Sequence, residues 1–386
     1  MYSIFFLIIL SSLLFFLLLK LLKPKFNTLL SIALSLLILY FLLKPELVIS
    51  SSISGGKIFL TSIFPVMFPF MVICNFLLYI DGISLYSKLL GPFLCKPLSL
   101  NKNCTFPIIT SYLSGYPLGA KYSEKLYTNK EINFNEFSRI INIASNIGPL
   151  FLIASVGTTM LSNTSLGYLL LIPSYLSTII IGILTKKKTK ESHLILSKPS
   201  NLNIDLGESI RKSIEDASLT LLVLAGYIII FSVLINILKN SYIVSLFISS
   251  TSSILGIPKE IIESLLLGSV ELTNGCKIVS ESTLSIEMKL CIISFLASFG
   301  GLSIIAQTYS FFSKHKISFK KYFILKFLQG TIAASIMAFI CFLNKNSIST
   351  FASITNNNYN FLMPSLILIL ISFIFLFILN LKNKSY

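Results

Sequence analysis

The chain has 386 residues, 54% hydrophobic and only 12% charged, with a mean hydropathy of +0.85 and a formal net charge of +16. An ordinary soluble domain carries about 25% charged residues, so a soluble enzyme or binding module is excluded. The positive charge does not point to nucleic acid either, because the basic residues sit in the breaks between apolar blocks, where topology determinants of membrane proteins lie.

The apolar blocks are close to 20 residues long, the length with which a helix crosses a hydrocarbon core of roughly 30 Å. The first, 2–22, has no basic residue before it and no small-residue cleavage site, and Lys20, Lys23 and Lys25 follow it; it reads as a retained span rather than a signal peptide. Further spans are predicted at 26–43, 58–80, 138–161, 165–185, 213–238, 288–312, 322–343 and 361–381, nine in all. Pro65 and Pro69 share one face of the third and predict a kink there.

The lysines orient these spans. Lys20, Lys23 and Lys25 place the first break in the cytoplasm, and the runs Lys186 to Lys190 and Lys314 to Lys321 also fall inside if 82–137 dips into the membrane and returns on the same side. The alternation then requires 239–287 to be a second re-entrant segment, from the outer side, although Tyr242 to Ile257 is apolar enough to be read as a crossing. The fold class is an all-α polytopic membrane protein of about nine transmembrane helices and two re-entrant segments. Its predicted parts are two N-terminal spans (1–54), a first repeat (55–185), a basic cytoplasmic loop (186–212), a second, inverted repeat (213–345), and a loop with a last span (346–386).

The repeat is legible in the letters. Ser114-Gly115-Tyr116-Pro117-Leu118-Gly119-Ala120-Lys121 and Val270-Glu271-Leu272-Thr273-Asn274-Gly275-Cys276-Lys277 both contain Gly-x-Lys, and each is followed by a small-residue break, Ala144 to Pro149 and Ala297 to Gly301. Inverted repeats with interrupted helices in corresponding positions are an architecture of secondary transporters.

Polar groups at membrane depth are costly, so those present line a cavity or pair with one another. Breaks at Gly115, Pro117 and Gly119 on one side, and at Thr273, Asn274 and Gly275 on the other, leave helix N-termini free to meet an anion. Lys121 and Lys277 would attract it and Asn146 and Glu271 would orient it; the plainer reading has both lysines snorkelling to the interface. Asn75, Asn142, Asn236, Gln307 and Gln329 read as interhelical glue. The six cysteines show no metal-ligand spacing, and His193 and His315 lie among lysines in solvated breaks. No phosphate loop, zinc helix or nucleophile elbow occurs, so neither an enzyme nor a cofactor is expected.

The motifs FPVMFPF (64–70), SGYPLGAK (114–121), NIASNIGPLF (142–151), VELTNGCK (270–277), SFLASFGGLSIIAQ (294–307) and KYFILKFLQG (321–330) cover roughly 55–345. In this order they resemble the sporulation integral membrane proteins of the YlbJ (SpoVV) type, which carry a nucleoside-recognition or Gate domain. The resemblance implies a protein of the outer forespore membrane that moves dipicolinic acid toward the spore, with the bilayer, a small anionic solute and other forespore membrane proteins as partners. An ion-coupled nucleoside carrier and a non-transporting sporulation scaffold are the alternatives.

Overall fold

A computed structural model describes residues 26–80, 82–186 and 205–343. The predicted spans 2–22 and 361–381, nearly all of the basic loop, and His193 lie outside these residues. Contacts divide the chain into two units, one reaching Ile53 and one from Ser54 onward. The first holds α1 (Phe26–Leu43), apolar and largely exposed, and most of α2 (Pro45–Ile58), which Pro45 opens at a position that costs no hydrogen bond.

In the second unit a π-helix, Phe59–Ile63, leads into α3 (Phe64–Tyr79), with Pro69 inside that helix; the irregularity on this span therefore begins one turn before the two prolines that predicted it. Short helices α4 (Gly82–Leu89) and α5 (Gly91–Leu94) follow. Then come α6 (Thr105–Ser114) and α7 (Leu118–Thr128), joined through Gly115 to Pro117, and α8 (Phe134–Ile143), which starts on a capping box between Asn133 and Glu136. A π-helix, Phe151–Met160, and α9 (Thr164–Leu184) complete this half. The predicted span 138–161 is two helices with a non-helical break from Ala144 to Gly148, inside the predicted small-residue break at Ala144 to Pro149, where one glycine and two small residues leave the backbone without helical support.

The second half repeats the order. After α10 (Leu206–Lys239) and α11 (Tyr242–Leu255), α12 (Lys259–Val270) and α13 (Leu272–Glu281) form another helix–break–helix pair, α14 (Ile286–Phe299) and α15 (Gly301–Phe312) another broken helix, and α16 (Phe319–Leu343) another long one. The break between α14 and α15 is built on Gly300 and Gly301, both at positive φ (88° and 73°), which side-chain-bearing residues rarely adopt. The 14 residues of α11 rise only about 21 Å, shorter than a hydrocarbon core of roughly 30 Å.

Four helices among the described residues are long and apolar enough to span: Thr164–Leu184, Leu206–Lys239, Ile286–Phe312 and Phe319–Leu343. They become five if Asn27–Leu43 and Pro45–Thr61 count as one broken span. The molecule is a membrane protein whose described residues form helices and no strand. On α10, Leu219 and Leu222 are 66% and 74% exposed while Leu221 and Leu224 are buried against α3, the one-faced pattern of a helix with lipid on its other side. Elsewhere helices approach without side chains between them: a Cβ on Gly157 would lie 2.7 Å from the Cα of Gly167 on α9, the close contact that packs membrane helices when water supplies no hydrophobic drive.

Candidate functional site

The breaks of the two halves meet around one cavity of about 390 Å³, within the size range of small-molecule sites. Its wall takes Ser114 and Tyr116 from the first hairpin, Gly148 to Phe151 from the first broken helix, Glu271 to Thr273 from the second hairpin, and Ser303 and Gln307 from the second broken helix. Apart from Glu271 these are neutral. The first turns of the π-helix Phe151–Met160, of α13 and of α15 all border it, so three helix N-terminal ends share one space, although at the π-helix the Phe151 and Leu152 amides already donate to the Gly148 carbonyl at 3.2 and 3.4 Å. The hydroxyl of Ser114 is buried on this wall and has no hydrogen-bond partner among the described residues.

One terminus is already occupied. Glu271 caps α13, its Oε1 accepting from the Thr273 amide at 3.0 Å and its Oε2 from the Asn274 amide and the Asn274 side chain, both at 2.8 Å. Asn274 is therefore spent on the cap and does not line the cavity.

Behind Tyr116 lies a polar knot. Lys326, on α16, is fully buried and donates to the Tyr116 hydroxyl (3.0 Å), the Ser145 carbonyl (2.8 Å) and Gln329 Oε1 (2.7 Å). Gln329 donates onward to Thr178 Oγ1 at 2.8 Å, Thr178 donates to Asn146 Oδ1, and the Asn146 side-chain amide donates to Ser111 Oγ at 3.1 Å. Tyr116 in turn donates to the Ala297 and Ser298 carbonyls at 3.2 Å, the freed C-terminal carbonyls of α14. Five separated stretches of chain thus meet in one knot, in which Tyr116, Ser145 and Gln329 touch the ammonium group.

The sequence-predicted residues divide accordingly. Glu271 borders the cavity, whereas Asn146, predicted to orient a solute, is locked in the knot. Gly115 and Gly119 hold the first hairpin against the first break: a Cβ would fall 2.3 Å from the Gly148 nitrogen and 2.0 Å from the Ala144 oxygen respectively. Pro117 caps α7, and Gly275 lets α13 approach Gly268 on α12, with a Cβ only 2.2 Å from its Cα. These four shape the breaks and none contacts the cavity.

The two lysines are a correction. Lys121 bonds Thr220 on α10 at 2.9 Å, and Lys277 is 63% exposed beside Glu281 at 3.8 Å; neither lines the cavity. Each Gly-x-Lys places its glycine against the partner arm and its lysine two residues on, turned away. His315 is also corrected: it lies 3.1 Å from Glu124 and edge-on to both Tyr127 and Phe137, rather than free in a solvated loop.

Sequence reasoning missed Lys326, Tyr116 and Ser114 as candidates. The signal for Lys326 was present, since an ionisable residue inside an apolar span marks a functional position by default. The six cysteines are free thiols, all buried except the half-buried Cys291.

Residues 60–144 match the Gate family model, described as nucleoside recognition. Along most of its length the chain is also similar to "Sporulation integral membrane protein YlbJ" of Bacillus subtilis (strain 168), 28% identical over 316 residues that cover 75% of this chain and 76% of that protein. No solved structure matches. The Gate match runs from the first π-helix to Ala144, where the break opens; it therefore supplies Ser114 and Tyr116, while Lys326, Gln329 and Gln307 come from the second half.

Proposed function

We propose that this protein is a transporter that carries a small planar dianion, dipicolinic acid, across the outer forespore membrane during sporulation, without altering it chemically. The observation that carries the reading is the cavity bordered by the first turns of three helices, one from the first half and two from the second. Such ends hold anions through backbone N–H groups and the helix dipole without a cationic side chain. Glu271 already plays that part at one terminus, and the apolar remainder of the wall suits an aromatic ring.

The recurring order of hairpin, broken helix and long helix supports an inverted pair of repeats within a framework of nine spans, with the solute held where the breaks meet. The name of the relative in Bacillus subtilis supports the sporulation setting.

A second reading, a nucleoside carrier, is favoured by the description of the Gate family and by the carboxylate, amide and hydroxyls of Glu271, Gln307 and Ser303, which suit a sugar. Uptake of labelled dipicolinate and labelled uridine into vesicles containing the purified protein separates the two. Dipicolinate accumulation with no uridine uptake is the expected result, uridine alone reverses the assignment, and movement of neither favours the scaffold.

A further inference from the structure

A second pocket, of about 270 Å³, opens among Ser138, Arg139, Asn142, Lys186 and Lys321. A neighbouring space of about 190 Å³ shares Ser138, Asn142 and Lys321 with it and adds Lys316 and Tyr322. Lys186, just after α9, and Lys316 and Lys321, on either side of the start of α16, are far apart in sequence and line one basic vestibule. Two of its buried polar atoms, Arg139 Nε and Asn142 Oδ1, have no hydrogen-bond partner among the described residues, so the vestibule has polar capacity that the chain itself does not use.

Only a short chain of groups separates this vestibule from the large cavity. Tyr322, on the vestibule wall, shares a 2.8 Å hydrogen bond with Ser145 Oγ; the Ser145 carbonyl accepts from Lys326 at 2.8 Å; and Lys326 donates at 3.0 Å to Tyr116, on the cavity wall. Among the described residues Lys326 forms no ion pair, and its three donors all meet neutral oxygens. A buried ammonium satisfied in number but not in charge lacks the one partner that repays its desolvation, an anion.

We propose that cavity and vestibule are the two ends of one path for an anionic solute, and that Lys326 is the charged plug between them, exchanging the Tyr116 and Ser145 oxygens for a solute carboxylate as the solute passes. The proposal rests on the reading of the chain as an anion carrier. The class of solute it selects is a small carboxylate, because the ammonium offers at most the hydrogen bonds it now gives to uncharged oxygens, and a carboxylate accepts them more strongly. Among the described residues the titratable groups bonded within this stretch are Tyr322, Tyr116 and Lys326, and of these only the lysine is basic.

The test uses the full chain, freed of its native cysteines and placed in vesicles, with two readouts. In the first, Lys326→Met keeps binding of labelled dipicolinate within about threefold of the parent while transport falls about a hundredfold. Lys326→Arg, which keeps the charge, retains transport to within about tenfold. In the second, which needs no dipicolinate, Asn135→Cys in the vestibule is labelled by an impermeant anionic thiosulfonate added to the opposite face. Its rate rises at least about tenfold when Lys326→Ala removes the plug.

Transport by Lys326→Met within twofold of the parent, or loss of binding together with transport in folded protein, overturns the plug. If the parent ignores dipicolinate, the substrate reading falls by itself. The labelling rate then decides: a rise upholds the plug, and an unchanged rate overturns it.

Discussion

Lys326 and Tyr116, in opposite halves of the chain, are joined by a 3.0 Å hydrogen bond in which the tyrosine hydroxyl accepts from the ammonium while donating to the carbonyl end of α14. One hydroxyl thereby ties the first hairpin, the second broken helix and α16 together. Tyr116→Phe leaves the ring in place and deletes only that hydroxyl. It is expected to destabilise the protein by about 1–3 kcal/mol, the cost of leaving a buried donor and two buried carbonyls short of a partner. Thermal unfolding in detergent, followed by loss of the monodisperse peak, measures it.

Gly119→Ala should be far more harmful than an alanine at a glycine with room. A Cβ at Gly119 meets the Ala144 carbonyl at 2.0 Å, whereas nothing lies within 4 Å of one at Gly226. The expected penalty at Gly119 is at least about 1–3 kcal/mol, the range for overpacking. Gly226→Ala is expected to be neutral or to stabilise α10 by up to about 1 kcal/mol. The same unfolding assay on both variants checks the contrast.

Lys277 and Glu271 offer another contrast within one helix. Lys277→Ala removes an exposed pair worth about 0–1 kcal/mol and is expected to leave stability and uptake unchanged. Glu271→Ala removes the cap of α13, costs about 0.5–2 kcal/mol, and alters the solute affinity of the cavity it borders. Equal loss of uptake in both variants would return the lysine to the site.

Accessibility follows from the two openings. In a background free of native cysteines, Thr273→Cys in the cavity and Asn135→Cys in the vestibule are expected to react with an impermeant maleimide from opposite faces of the membrane. Solute should slow Thr273→Cys first. Reaction of both from one face would contradict the placement of the lysine breaks. Gly119 and Gly275 are unsuitable for this experiment, because neither position admits a side chain.

Much of the frame was legible in the sequence. The helices Phe26–Leu43, Thr164–Leu184 and Phe319–Leu343 fall within three residues of the predicted spans 26–43, 165–185 and 322–343, because length and hydropathy alone determine what a bilayer accepts. The breaks at 144–148 and at Gly300 fall inside the runs of small residues at 144–149 and 297–301 that predicted them. The role of the lysines was not: Lys121 and Lys277 stand beside the right glycines, but direction around a helix axis, not spacing along the chain, decides which side chains reach a cavity. Lys326 shows the reverse failure. It lies within the motif KYFILKFLQG and inside an apolar span, yet only the folded chain brings Ser145 and Tyr116 to it.

The bare-backbone contacts of Gly115 with Gly148 and of Gly119 with Ala144 carry a mechanical consequence. Side chains placed between two elements act as compliant spacers, since rotamers adjust and let one element shift while the other stays. Here that slack is missing, and the hairpin and the broken helix are keyed together like two teeth of one gear. Any displacement of the first break must drag the hairpin tip, and with it Tyr116, through the same distance.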